Sequence, residues 1–326
     1  MRVFYKTNLV NDKELRSLLE TLNHVMYKAF GLTVLSEIVL PELPQQQGAL
    51  GDSADILIEK ADVSKLWREV SSPHSKYVVT ENLVMLDVPD IAIFSIQDGN
   101  KITVSPGRGY DEEISRLYIL GTCMGALLMQ RRIFPLHGSA VAIDGKAYII
   151  IGDSGAGKST LATTFLNQGY QLLSDDVIAI SFSQNLTPLV TPAYPQQKLW
   201  KESLVELGME MGPYRSIYGR ETKYCVPVPS QYFNEPLPLG GVFELVKTVN
   251  AKVEIHPIQG LERLRVLSYH TYRNFLIPGL RLMDWHFNTS ASIADTIEFF
   301  QLRRPAFGFT AHQLATLILA AIHKEE

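Results

Sequence analysis

The run Gly152-Asp153-Ser154-Gly155-Ala156-Gly157-Lys158-Ser159-Thr160 constrains the fold more than any other part of the chain. It has the spacing G-x-x-x-x-G-K-[ST], and its flanks are of the required kind. The apolar, β-branched run Ala147-Tyr148-Ile149-Ile150-Ile151 predicts a buried strand before it, and Ser159 to Gln168 predicts a helix that Gly169 ends. Such a strand-loop-helix turns backbone N–H groups onto phosphate oxygens, and the helix N-terminus adds partial positive charge. Lys158 is then placed to reach β- and γ-phosphates, and the Ser159 hydroxyl to ligate Mg²⁺. The expected ligand is a nucleoside triphosphate held by the residues from Gly152 to Thr160.

A chain of 326 residues, 46% hydrophobic and 20% charged, has material for one large domain or two with a proper core. Its formal net charge of −4 gives no general attraction to nucleic acid or an anionic membrane, so neither is an expected partner. Cys123 and Cys225 lack the paired spacing of a zinc or redox motif and are expected as reduced thiols. The start, Met1 to Lys6, lacks the apolar core of a signal peptide. The longest apolar-leaning run, Leu117 to Met129, spans 13 residues. A membrane crossing needs about 20, so this run is expected as a buried helix and the chain as cytoplasmic.

Two units are expected: a strand-rich N-terminal lobe over 1–110 and a nucleotide-binding unit over 111–326. The first combines a helix-like stretch, Lys13 to Phe30, with the alternating runs Leu32 to Leu35 and Asp55 to Ile58, separated by a Pro- and Gln-rich loop from Pro41 to Gly51. Asp111-Glu112-Glu113 offers a cap and an acidic first turn for a helix through Gln130, with Arg131 and Arg132 suiting its C-terminal end. Ser139 to Ile143, Asp144-Gly145 and Lys146 to Ile151 read as a hairpin with a type I′ turn, so that an antiparallel strand feeds the phosphate loop. Tyr170 to Asp176 predicts a strand ending in two carboxylates, with Val177 to Phe182 after it. Further on come a helix over Leu199 to Gly208, a Gly- and Arg-bearing loop over Gly212 to Lys223, and strands over Leu239 to Val249 and Ala251 to Ile258. A final helix runs from Ala311 to Lys324 with Leu314, Leu317, Ile318 and Ala321 on one face.

A phosphate loop needs a second element to serve the metal and orient a nucleophile. Asp175 and Asp176 are the candidates, one metal-linked and one accepting a hydroxyl proton. Neighbours on a strand face opposite sides, so they act together only where the strand ends or bends; otherwise they simply mark a turn. His137 is a lone histidine, a type more often structural than catalytic. Lys198, Arg220, Lys223 and Arg273 are candidates to neutralise transferring phosphate charge or to receive a substrate carboxylate, against their commoner role as solvated charges.

The run Leu136-His137-Gly138-Ser139-Ala140-Val141, the hairpin, the phosphate loop and Gly169-Tyr170-Gln171-Leu172-Leu173-Ser174-Asp175-Asp176 resemble the catalytic core of the HPr serine kinase/phosphorylase family, which shares its phosphate-loop variant with phosphoenolpyruvate carboxykinases. Phe30 to Glu37, Leu40 to Leu43 and Lys198-Leu199-Trp200 are similar to kinases of bacterial peptide-biosynthesis clusters that modify lasso-peptide precursors. The resemblance implies an α/β fold, an HPr-kinase/PEP-carboxykinase-like P-loop catalytic domain with a smaller strand-rich N-terminal lobe. It implies ATP and Mg²⁺ as cofactors, and transfer of the γ-phosphate to the C-terminal serine of a ribosomally made precursor peptide. By position, Lys158 and Ser159 would hold phosphate and Mg²⁺, Asp175 would take the hydroxyl proton, Asp176 would lie near the metal, and His137 beside them. A homo-oligomer is a further implication. The family's glycine-containing signature after the aspartate strand is missing here, where Tyr194 to Trp200 stands instead. The alternatives are a kinase of this fold with another protein or a small hydroxyl compound as acceptor, and a non-catalytic, nucleotide-gated peptide-binding module.

Overall fold

The computed structural model describes residues 24–46, 54–212, 214–250 and 252–323, with the backbone alone at Arg220. The helix expected from Lys13 to Phe30 lies mostly outside that range, and its end is a strand instead: β1 (Val25–Ala29) pairs antiparallel with β2 (Leu32–Ser36). The reason is the two-residue turn between them. Phe30 and Gly31 take φ of 54° and 74°, the paired positive values of a type I′ hairpin. Tyr27 and Ala29 then alternate into the core.

β3 (Ile56–Lys60), the helix α1 (Ser64–Val70), β4 (Tyr77–Val79), β5 (Leu83–Val88), β6 (Ala92–Gln97) and β7 (Lys101–Pro106) complete this first region. Its seven-stranded sheet has the order β1-β2-β3-β7-β6-β5-β4. A nearly continuous helix packs on it: α2 (Glu112–Tyr118), one π-helical turn (Ile119–Cys123) and α3 (Met124–Gln130). Asp111 caps it, its carboxylate accepting the Ile114 N–H at 2.9 Å, beside the expected acidic first turn. Every residue from Ile119 to Met129 is buried, which accounts for the apolar run without a membrane. Among the described residues no helix is long and apolar enough to cross one.

β8 (Phe134–Ile143) and β9 (Lys146–Gly152) form the expected hairpin, with Asp144 and Gly145 at φ 48° and 73°. α4 (Lys158–Asn167) leaves the phosphate loop, and β10 (Gln171–Phe182) runs as one long strand through both aspartates. The remaining elements are β11 (Pro188–Thr191), β12 (Gln196–Trp200), α5 (Lys201–Glu206), β13 (Arg215–Ile217), β14 (Arg220–Pro227), β15 (Leu237–Thr248), β16 (Glu254–Ile258), α6 (Leu261–His270), α7 (Met283–Thr296), β17 (Glu298–Pro305) and α8 (Ala311–Ile322). The second seven-stranded sheet has the order β11-β10-β8-β9-β15-β17-β16, and β11 also pairs with β15, curling that part of the sheet into a ring. β9, β15 and β17 are mutually parallel neighbours, while β8, β9 and β10 are antiparallel. β12, β14 and β13 form a small third sheet.

That third sheet corrects two expectations. Leu199 and Trp200 end a strand rather than begin a helix, and the stretch Gly212 to Lys223 holds a hairpin rather than only a loop. Pairing with β14 fixes both segments, a tertiary effect that local residue preference does not carry. The second sheet is covered on both faces. Ile150 and Phe243 face α4 and α8 through Phe165, Leu314 and Ile318, while Ile149 and Ile151 face α6 and α7 through Leu267 and Ile293. This two-sided burial explains why β9 reads as a continuous apolar run.

Candidate active site

The phosphate loop connects β9 to α4 as its spacing requires. Gly152 sits at φ 149°, and a Cβ there would stand 2.5 Å from the Leu245 carbonyl oxygen on β15, so only glycine lets β9 turn this close to its neighbour. At the far end the Leu161 N–H donates to the Gly157 carbonyl, opening α4 and leaving the N–H groups of its first turn without intrahelical acceptors. Lys158 folds back over the loop, its ammonium donating to the carbonyls of Gly152 at 2.8 Å and Asp153 at 3.1 Å. Burial pushes its pKa below the usual lysine range, against the opposing pull of Asp175. Thr160 turns away from the loop to bond Ser203 at 2.7 Å, and Asp153 accepts the Tyr269 hydroxyl at 3.1 Å.

The two aspartates meet the bend condition. A bulge shifts the β10–β8 register between Leu172 and Ser174, and Asp176 takes the left-handed φ of 78°. Strict alternation would send neighbouring side chains to opposite faces; the left-handed residue turns Asp176 so that both carboxylates line one cavity. The Ser174 hydroxyl bonds the Val177 carbonyl across the bend. Asp175, 4% exposed, is saturated with donors. Its Oδ1 accepts Ser139 at 2.5 Å and Ser159 at 2.9 Å, and its Oδ2 accepts the Lys198 backbone N–H at 2.8 Å. Asp176 Oδ2 receives the Lys198 ammonium at 2.6 Å, and its Oδ1 lies 3.4 Å from His137 Nδ1. The same His137 nitrogen lies 2.9 Å from the Asp176 carbonyl oxygen.

The electrostatics follow from this packing. Burial alone would raise the Asp176 pKa, but the Lys198 ammonium, His137 and Lys223 hold it well below the ordinary carboxylate range. Burial likewise opposes the Lys198 charge, and Asp176 overcomes it, lifting Lys198 above the ordinary lysine range. His137 is lowered by burial despite Asp176, so its imidazole is neutral at pH 7. Tyr272, against which His137 packs at 5.8 Å between ring centres, is pushed up by burial to about 12.

A cavity of about 660 Å³ gathers most of the expected site: the loop glycines with Asp153, Ser154, Lys158, Ser159 and Thr160, then His137, Asp175, Asp176, Lys198, Lys223 and Arg273. The side chain of Arg220 lies outside the described residues. Lys198 is tied to both aspartates rather than open to a substrate, Lys223 lies 5.5 Å over the Trp200 ring, and Arg273 lies 5.5 Å over the Tyr272 ring. The family resemblance implies Asp175 toward the hydroxyl and Asp176 toward the metal; the hydrogen bond to Ser159 is made by Asp175. Ser159 and Asp175 present side-chain oxygens side by side, the hard donor type that would suit Mg²⁺. No cluster of three or more His, Cys, Asp or Glu side chains able to hold a metal ion occurs among the described residues.

Two contributors were not foreseen. Ser139 stands two residues from His137 on β8, hence on the same face, and that spacing was a usable signal. Arg304 braces the loop from β17, donating to the Ala156 carbonyl at 2.9 Å, and nothing local to the loop announces it.

A glycine-rich strand-loop-helix, with a hydroxyl after its lysine and a carboxylate facing that hydroxyl from a nearby strand, defines the P-loop class of phosphate-binding α/β proteins. Within that class, the chain is similar in sequence to HPr kinase/phosphorylases over part of its length. Over 68 residues it is 35% identical to the HPr kinase/phosphorylase of Mycoplasmopsis pulmonis, covering 20% of this chain and 22% of that protein. Over 162 residues it is 27% identical to that of Nitrosomonas europaea, covering 45% and 48%, and over 211 residues 23% identical to that of Streptococcus salivarius, covering 59% and 63%. The aligned part thus spans less than two thirds of each of these relatives. No family model matches. The solved HPr(Ser) kinase/phosphatase of Coxiella burnetii overlaps 59% of this chain and 95% of its own at 17% identity, with a TM-score of 0.29, too loose a superposition to transfer any feature.

Proposed function

We propose that the protein is an ATP-dependent phosphotransferase that moves the γ-phosphate of ATP to a serine hydroxyl, with Mg²⁺ as cofactor. The observation that carries the reading is the joining of the phosphate loop to the acid pair: Ser159 bonds Asp175, and Asp176 faces the same cavity. The proposed acceptor is the C-terminal serine of a ribosomally made lasso-peptide precursor, a reading supported by the resemblance of the wider chain to kinases of that kind. The similarity to HPr kinase/phosphorylases favours HPr as a second acceptor. Against it stands the segment Tyr194 to Trp200, which lacks the family signature and whose Gln196–Trp200 part is β12.

In the reaction the serine oxygen forms a bond to the γ-phosphorus as the bond to the β-bridging oxygen breaks, and the serine proton passes to a carboxylate. Bound Mg²⁺ would neutralise charge on the phosphate oxygens. The chain's own part is positioning and electrostatics. Lys158 would exchange its carbonyl partners for the β/γ-phosphates, and the N-terminal N–H groups of α4 would cradle them. Asp175, filled with donors, suits the Ser159 and metal side; Asp176, with Oδ1 less encumbered, suits the acceptor hydroxyl. A carboxylate held ionised by Lys198 is a weak base, so it orients the hydroxyl first and takes its proton late. Neutral His137 fixes Asp176 from the other side.

The test is intact-mass analysis of a serine-ending precursor peptide incubated with the protein, ATP and Mg²⁺. One added phosphate at the terminal serine, formed far more slowly with Asp175→Asn and with Asp176→Asn, is the expected result. ATP binding without any transfer, to this peptide or to HPr, would leave the nucleotide-gated binding module as the function. On the role division, Asp176→Asn is expected to keep Mg²⁺-dependent nucleotide affinity, and Asp175→Asn to lose it.

A further inference from the structure

Lys198 touches both aspartates at once, with two different groups. Its backbone N–H donates to Asp175 Oδ2 at 2.8 Å, and its ammonium to Asp176 Oδ2 at 2.6 Å. The strand that carries it is anchored to the helix after the phosphate loop. The neighbouring Gln197, fully buried, accepts the Thr163 hydroxyl at 3.1 Å and donates to the Ser159 carbonyl at 3.5 Å. β12 therefore bridges α4 and β10, the two elements whose relative placement the chemistry depends on. Asp176 is also the residue in the strained left-handed conformation, which persists only where the surroundings over-determine it. The ammonium is the closest ion partner of its carboxylate. A buried ion pair of this kind is a poor source of stability beside an apolar packing, so its retention at the cavity wall needs another cause.

We propose that Lys198 is a positioning residue for phosphoryl transfer, a clamp from β12 that fixes Asp175 and Asp176 relative to the phosphate loop. This rests on the phosphotransferase reading above and adds to it the group that sets the acid pair. Lys198 acts through the aspartates, not on the phosphate. That separates it from the expectation that it neutralises phosphate charge or binds a substrate carboxylate.

The experiment is steady-state kinetics of the full chain with Lys198→Met, Lys198→Arg, Asp176→Asn and the Asp176→Asn/Lys198→Met double variant. Lys198→Met is expected to lower kcat on the order of 100-fold while KM for ATP changes less than about threefold, since the loop itself is intact. Lys198→Arg keeps the cation and is expected to recover at least about tenfold of that loss. The double variant is expected to be no worse than Asp176→Asn, because a clamp has nothing left to hold. Where Lys198→Met fails to fold, the double variant, which removes both charges together, is read against Asp176→Asn alone. A Lys198→Met kcat within threefold of wild type overturns the proposal, as does a further tenfold fall in the double variant, which would put Lys198 on the phosphate itself. Should the wild-type protein leave the peptide unphosphorylated, the proposed acceptor fails by itself, and the same comparison is made on ATP turnover with water as acceptor.

Discussion

Asp176 shows how much a single backbone angle decides. Its φ of 78° is what lets adjacent aspartates share a cavity, and its partner Lys198 is more enclosed still, with the Asp176 side chain 17% and the Lys198 side chain 10% exposed. Removing one partner leaves a charge without compensation, so Asp176→Ala is expected to destabilise the fold by roughly 3–5 kcal/mol, read from urea unfolding. Two histidines contribute to the pH dependence of stability just below neutrality. His286, bonded to Thr271 at 2.7 Å and stacked on Phe134, is lowered from 6.5 by burial, as is His137. Both imidazoles are neutral in the fold at pH 7, whereas in the unfolded chain they take up protons as pH falls through 6.5. Their stabilisation is therefore full above about pH 6.5 and is lost as pH falls toward their folded values. A Tm series from pH 7.5 to about 5 should fall, and should fall less in His286→Asn measured against its own pH 7.5 value. At this scale the phosphate loop and the acid pair are legible because they are contiguous patterns, whereas His137, a lone histidine, enters only through the family resemblance. Arg304 and the double grip of Lys198 are not legible, since each depends on a strand far away in the chain.

Elements were legible where a turn punctuates them. The Asp144-Gly145 turn announces the β8–β9 hairpin, and Gly169 follows the end of α4. The β12, β13 and β14 segments were misread because their strand character comes from one another, with exposed, polar residues such as Arg215 and Ser216 that show no buried alternation. The β1–β2 hairpin hid behind helical spacing, and only the Phe30-Gly31 turn gives it away. The helix from Glu112 to Gln130 carries a feature that no periodicity displays, the π-turn at Ile119–Cys123. Just beyond it a Cβ on Gly125 would stand 2.6 Å from the Tyr272 ring, which is only 8% exposed and adjoins Arg273. Gly125→Ala is therefore expected to cost about 1–3 kcal/mol by overpacking and to lower phosphate transfer by displacing Tyr272. Thermal unfolding and the peptide assay, run together, check both.

At the scale of the molecule, the division of the chain at 110/111 falls within one continuous core. Phe94 and Ile96 of the first sheet, Ile114, Met124 and Leu127 of the helix after it, and Leu276, Ile277 and Leu280 from beyond α6 are packed in a single cluster. Residues 1–110 expressed alone are expected to give a poorly dispersed amide NMR spectrum, because the helix that covers their sheet is left behind. The full chain is expected to unfold in one transition by both near-UV and far-UV circular dichroism. The order of the second sheet bears on how the protein is made. β9 meets β8 across a two-residue turn, but on its other side it pairs in parallel with β15, roughly ninety residues further along. On the ribosome, the strand that carries the phosphate loop must therefore wait with one edge open through the synthesis of α4, β10 and the entire third sheet. Such an edge invites pairing with any strand nearby. A slowing of translation before Leu237 would lengthen that exposure and make the nascent chain depend on chaperones, although no defect would be visible in the finished fold.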